Sequence, residues 1–167
     1  MLSTYEIRAV QLDLARQMES PTFIKQFIDF IAENHYNTLF LYLEWRIRCD
    51  TFDIGAGNGY SAAELKEIIA YADERGIEVI PGLALLGHAE QLLADKNYNY
   101  LSERREGIPG RFGETIDQVL CPTIPEVKEF IDKFLKEVSE IFYNSSYIHV
   151  GGDEVFDFAI CSECKNK

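Results

Sequence analysis

The sequence is short of positive charge. It sets 16 Lys and Arg against 28 Asp and Glu, a formal balance of −12. A surface so acidic repels phosphate backbones and anionic headgroups, so neither nucleic acid nor a membrane is an expected partner. Neutral ligands such as sugars stay open. The chain also lacks an apolar run long enough to cross a bilayer. Its opening, MLSTYEIRAV, has neither the basic nor the apolar region of a secretion signal, which makes the cytoplasm the expected location. There the four cysteines, Cys49, Cys121, Cys161 and Cys164, are expected as reduced thiols and not as a disulfide framework. No linker and no low-complexity stretch divides the chain. A length of 167 residues with 47% hydrophobic content suits one domain, 1–167, with a core of its own.

What is present alternates between strand and helix patterns. EIRAVQLDL reads as a strand from Ile7 to Leu14. PTFIKQFIDFIAENH follows as a helix, with Phe23, Phe27, Ile28 and Ile31 at helical spacing and Ser20 as the cap before Pro21. NTLFLYL is nearly all apolar from Thr38 to Leu43, the mark of a strand buried on both faces. After the polar DIGAGNGY, a helix opens on the capping box Ser61–Glu64 and closes at Gly76. IEVIPGL is a third strand. A long segment from Leu85 to Leu120 holds GHAEQLL and RREGIPGRFG, and connections of that length are usually functional. TIPEVKEFIDKFLKEVSEIF is the next helix, with Thr123 and Glu126 as its expected cap, and YIHVG is a fourth strand. The fold class is therefore α/β with parallel strands and right-handed crossovers. An open doubly wound sheet and a (β/α)8 barrel both satisfy this order, and both place ligands at the C-terminal strand ends.

Ionisable or polar residues cluster at those ends. Arg16 follows the first strand, Glu44 the second, His88 the third, and Asp153 and Glu154 the fourth. The last pair lies in HVGGDEVF, where Gly151 and Gly152 precede two adjacent acids. Neighbouring residues of a regular strand point to opposite faces, so both acids serve one site only if the backbone turns there. Cys161-Ser162-Glu163-Cys164 has the spacing of half a zinc site. Its other half would need Cys49, Cys121 or a histidine, and a plain pair of thiols at a helix start is the favoured reading, so no metal is expected.

Two families share the letters GGDE. The diguanylate cyclases carry them on a mid-domain hairpin with further strands behind. Here the chain runs on only to Lys167, the aspartate-rich nucleotide segment is missing, and a triphosphate suits the net charge poorly. The closer resemblance is to the family 20 glycoside hydrolases, the β-N-acetylhexosaminidases, whose H-x-G-G-D-E motif matches HVGGDE. VQLDLAR resembles that family's first strand with its sugar-binding arginine, and NTLFLYL the second strand. ELKEIIAYADERGIEVIPGLALLGHAEQLL resembles the helix, third strand and Gly-His segment, and LCPTIPEV the start of the next helix. Gly-His-x-Glu and the GDEV-plus-cysteine details look most like the hexosaminidase D type of branch.

The resemblance implies a (β/α)8 TIM barrel, of which these residues supply about the first four βα units, and no cofactor. It implies removal of terminal β-linked N-acetylglucosamine or N-acetylgalactosamine from glycans or glycoconjugates. In the family's substrate-assisted retaining mechanism the acetamido oxygen of the substrate is the nucleophile. By resemblance Asp153 holds the acetamido N–H and Glu154 is the acid and base. Arg16 binds sugar hydroxyls, His88 and His149 support the acids, and Glu44 is a weaker substrate-site candidate. Trp45 is expected to pack, with sugar stacking as the lesser option. Half a barrel leaves sheet edges open, so self-association and loss of activity are expected of the chain on its own. The competing reading is a non-catalytic carbohydrate-binding or interaction fragment on the same half-barrel.

Overall fold

The computed structural model describes residues 5–53, 57–111, 113 and 117–167. Parts of DIGAGNGY (54–56) and RREGIPGRFG (112) lie outside the described residues. Three parallel strands, β1 (Ala9–Asp13), β2 (Thr38–Tyr42) and β3 (Glu78–Gly82), pair in the order β1-β2-β3. Ala9 stands opposite Thr38, and Thr38 opposite Glu78, so all three strands run in one register. Between them come α1 (Pro21–Glu33) and α2 (Ala62–Asp73). The β3 connection carries the short α3 (Glu90–Leu93) and a 3-10 turn at Asn99–Leu101, followed by α4 (Pro125–Ile141) and α5 (Ser162–Lys165).

Strand order follows chain order without a reversal. Right-handed crossovers then put α1, α2 and α4 on the same face of the sheet. The period of two sorts the side chains accordingly. Leu39, Leu41 and Leu43 of the β2 segment are fully buried in the helix-side core, as is Leu83 after β3. That core takes Ile24, Ile28 and Ile31 from α1, Leu65, Ile68 and Ile69 from α2, and Phe134 and Val138 from α4. The opposite face presents Gln11, Asp13, Phe40 and Tyr42 to a cleft.

Local signals account for the starts of α1 and α2. Ser20 accepts from the Phe23 N–H at the head of α1, and Ser61 and Glu64 complete a capping box at α2. Replacing Ser61 with Ala frees a backbone donor at that end. The expected cost is about 0.5–2 kcal/mol in urea unfolding, and no measurable change would show that tertiary packing alone holds α2.

Four expectations are corrected. The α1 face is turned by one residue: Ile24 is buried, whereas Phe23 is 40% exposed and stacks on Phe27. Ile7 stays outside β1 and is exposed. Thr123 does not cap α4. The cap is Ile124, with no side-chain bond, because Pro125 takes the first helical position. Finally, YIHVG makes a bridge where a full strand was expected; the sheet of the described residues is open, with no closed barrel. His149 pairs in parallel with Gly82, and His149 donates to Pro81 while Leu83 and Leu85 donate to His149 and Val150. The direction and neighbour are those expected of a fourth strand. Backbone pairing reaches it from β3 alone among the described residues, and Tyr147 and Val150 stay exposed.

Candidate active site

The sheet sets out the site by repeating one device at successive strand ends. Leu14 and Ala15 both donate to the Tyr42 carbonyl, and Leu43 and Glu44 both donate to the Gly82 carbonyl. Each strand is thereby pinned to its neighbour just where a polar residue emerges. Asp13 Oδ1 accepts from the Ala15 and Arg16 N–H groups at 3.0 Å each, a short turn that aims Arg16 across the end of β2. Arg46 reinforces the turn by donating to the Ala15 carbonyl.

Arg16 Nη1 forms an ion pair with Glu44 Oε1, and its Nη2 lies 3.3 Å from His88 Nδ1. A guanidinium only donates, so Nδ1 accepts and the imidazole proton belongs on Nε2. That nitrogen faces both acids, 3.6 Å from Asp153 Oδ2 and 3.5 Å from Glu154 Oε2. Glu44 and His88 are nearly buried, whereas the side chains of Asp153 and Glu154 are 63% and 62% exposed to the cleft. The arrangement is a chain from Glu44 through Arg16 and His88 to two carboxylates. With a cationic guanidinium behind the imidazole, His88 is placed to donate to the acids, not to share a cation with them.

Burial works against the Arg16 charge, and the adjoining Glu44 carboxylate more than offsets this, holding the guanidinium above its ordinary value. Tyr42, beneath Arg16 with 5.5 Å from the guanidinium carbon to its ring centre, has its phenol pushed up to about 12 by burial and then by the Glu44 charge. It remains a neutral donor throughout the ordinary pH range.

The backbone carries unusual conformations at the same places. Glu44, His88 and Glu154 have φ of 49°, 51° and 49°, in the left-handed region that L-residues rarely take. Such conformations cluster where function holds them. Gly151 at φ 75° and Gly152 at φ 131° supply the turn that brings two adjacent acids to one side. A Cβ on Gly151 would also stand 2.8 Å from the Leu83 carbonyl oxygen. Gly151→Ala is therefore expected to cost more than about 1 kcal/mol, since φ and contact both object. Urea unfolding measures it, and a neutral result would mean that the bridge to β3 is dispensable.

Arg16, Glu44, His88, Asp153 and Glu154 thus meet in one cleft of about 500 Å³. His149 lines the same cleft without touching the acid side chains. Its Nδ1 accepts from the Gly151 N–H at 3.3 Å, and its ring meets Phe40 edge-on at 5.1 Å. Trp45 is fully buried. It packs on Phe134 and donates to the His88 carbonyl at 2.9 Å. Asp13, Tyr42 and Arg46 were not singled out from sequence. The signal for Asp13 was its place three residues before Arg16, within reach of the turn.

These elements extend along nearly the whole chain, and so does one family pattern: the catalytic-domain model of glycosyl hydrolase family 20 matches residues 5–167. The chain belongs to glycosyl hydrolase family 20. Among its curated relatives is a β-hexosaminidase of Vibrio furnissii, 31% identical over 180 residues, covering 92% of this chain and 29% of that protein. A β-hexosaminidase of Akkermansia muciniphila is 29% identical, covering 90% of this chain and 34% of the relative. The crystal structure of a β-N-acetylhexosaminidase from Bacteroides fragilis superposes with a TM-score of 0.78 at 29% identity, over 96% of this chain and 34% of that one. An exo-β-N-acetylglucosaminidase from Vibrio harveyi, solved with N-acetylglucosamine, also gives 0.78, at 27% identity over 91% of this chain and 28% of that one. The family 20 chain thus spans about a third of the length of the relatives it matches.

Proposed function

We propose that this family 20 chain carries the acid pair of a β-N-acetylhexosaminidase that releases terminal β-linked N-acetylglucosamine or N-acetylgalactosamine. The observation that carries the reading is the convergence of Asp153 and Glu154 on one His88 nitrogen, in a cleft that ends at Arg16. Glycosidases of the usual retaining kind supply a carboxylate nucleophile, whereas family 20 enzymes use the substrate's own acetamido oxygen. In that scheme the oxygen attacks the anomeric carbon and the glycosidic bond breaks as Glu154 passes its proton to the leaving oxygen. Asp153 accepts the acetamido N–H and offsets the positive charge of the oxazolinium ring. Glu154 then takes a proton from water as the water opens that ring. The Nε2–H of His88 faces both carboxylates, and the Arg16 N–H groups left over from Glu44 and His88 meet the sugar hydroxyls.

The architecture is read as the first four βα units of a (β/α)8 barrel. Support comes from the unreversed strand order and the single helix-covered face, since a doubly wound sheet reverses direction and covers both. The finer likeness to a hexosaminidase D branch rests on the sequence details alone.

In this reading the remaining cleft wall belongs to later strands. The chain alone is expected to release no chromophore from an aryl N-acetyl-β-glucosaminide and to associate through the β1 and His149–Val150 edges. Light scattering and the chromogenic assay test both. A monomer turning over at an ordinary enzymatic rate would overturn the half-barrel. An active longer protein that ignores loss of Asp153 and Glu154 would overturn the site.

A further inference from the structure

Away from the acid pair, the long β3–α4 connection meets the end of the chain in a buried knot of sulfur. Cys121 Sγ lies 3.7 Å from Cys161 Sγ and 3.8 Å from Cys164 Sγ. Glu103 Oε2 is 3.4 Å from Cys164 Sγ, and the four donor atoms all lie within 4.8 Å of one another. We propose that Glu103, Cys121, Cys161 and Cys164 form a structural zinc site that fastens the segment after Asp153-Glu154 to the β3–α4 connection.

These three distances match edges of a tetrahedron. With a Zn–S bond of about 2.3 Å, two ligating sulfurs stand about 3.8 Å apart. With a Zn–O bond near 2.1 Å, the sulfur-to-oxygen edge is about 3.6 Å. Three thiols and one carboxylate fill four positions, which makes the site closed and structural, with no place for a substrate. Soft thiolates favour zinc over magnesium or calcium.

A second observation points the same way. Glu103 is fully buried, and no ion pair to it occurs among the described residues. It accepts from the Cys161 N–H at 2.8 Å, yet a buried carboxylate without a cation is costly. A divalent ion resolves this. On binding, the three thiols release their protons to solvent and no electrons move. The bound set keeps two negative charges. A disulfide would not serve instead, since it joins two sulfurs at about 2.05 Å and leaves the third thiol and Glu103 unanswered.

The test is metal content. The reduced 167-residue chain, purified without chelator, is expected to carry one zinc per chain by elemental mass spectrometry. Cys49→Ser, remote from the knot, should keep it, while Cys161→Ser and Cys164→Ser lose it. Cobalt added to the zinc-free chain should give the intense visible absorption of tetrahedral thiolate ligation, and a chelator should lower the Tm of the wild type. If the serine variants do not fold, wild-type stoichiometry and the cobalt spectrum decide. Reduced chain with neither zinc nor that spectrum overturns the proposal. So does a native Cys121–Cys161 disulfide revealed by counting free thiols.

Discussion

In a preparation that hydrolyses β-linked N-acetylhexosaminides, Glu154→Gln should slow natural glycosides about 10²–10⁴-fold. Those alkoxide-type leaving groups need a proton as the bond breaks, and Gln cannot give one. Activated aryl leaving groups depart with less help, so their loss should be much smaller. Equal losses on both classes would remove Glu154 from the acid role. Asp153→Ala behaves differently. Every substrate needs the acetamido group held, so losses should be uniform across leaving groups. An inhibitor resembling the oxazoline should bind more weakly by about 1.5–3 kcal/mol, the worth of a hydrogen bond to a charged group. Unchanged inhibitor binding would withdraw the role from Asp153. His88, which faces both carboxylates, ties the two effects together, so His88 and Asp153 replacements should be non-additive in a double-mutant cycle.

The largest loss of stability is expected at Trp45. Its indole is fully buried between Phe52, Phe130 and Phe134, with ring centres 5.7, 6.1 and 5.5 Å away. Trp45→Ala should cost about 3–5 kcal/mol in urea unfolding. Against a typical total of about 5–15 kcal/mol, this brings the chain near the edge of folding. Trp45→Phe separates packing from hydrogen bonding. It keeps most of the apolar volume but strips the donor from the His88 carbonyl, at an expected cost of about 1–3 kcal/mol. In an active preparation it should also lower kcat, because His88 sits in a left-handed backbone that this bond steadies. A Phe variant with wild-type stability and kcat would show that the bond holds nothing in place.

What could be seen in the sequence was mostly what is local. Ser20, Ser61 and Glu64 declare helix starts because the groups they satisfy lie within one turn. The nearly unbroken apolar run of β2 was legible because its residues are buried or half-buried on both faces. Thr123 misled because a proline two residues on moved the cap, while its hydroxyl was drawn to Glu163 and Cys121. Phe23 misled because ring hydrophobicity outweighed the exact phase of the helix, and Ile24 takes the buried place. Among the site residues, position at a strand end was enough to single out Arg16, Glu44, His88 and the acid pair. Their mutual arrangement was not, since Arg16 and Glu44 meet across 28 positions and Arg16 and His88 across 72. Glu103 left no signal. It lies in a segment without periodicity, and only the folded chain shows that this carboxylate is buried beside three sulfurs.

A sheet whose strands stand in chain order can be assembled as the chain is synthesised. When β2 leaves the ribosome its partner β1 is already out, and β3 in turn finds β2 waiting. No strand must be held open for a later one to insert between its neighbours, so loop closure at each step spans only one crossover. The core under α1 and α2 can therefore close while the segment carrying Asp153 and Glu154 is still in the exit tunnel. The two acids follow the three strands, onto an imidazole already oriented by Arg16 and Glu44. Arresting translation before Asp153 and Glu154 should then leave a protease-resistant βαβαβ core, which gains the acid pair only once that segment has cleared the tunnel.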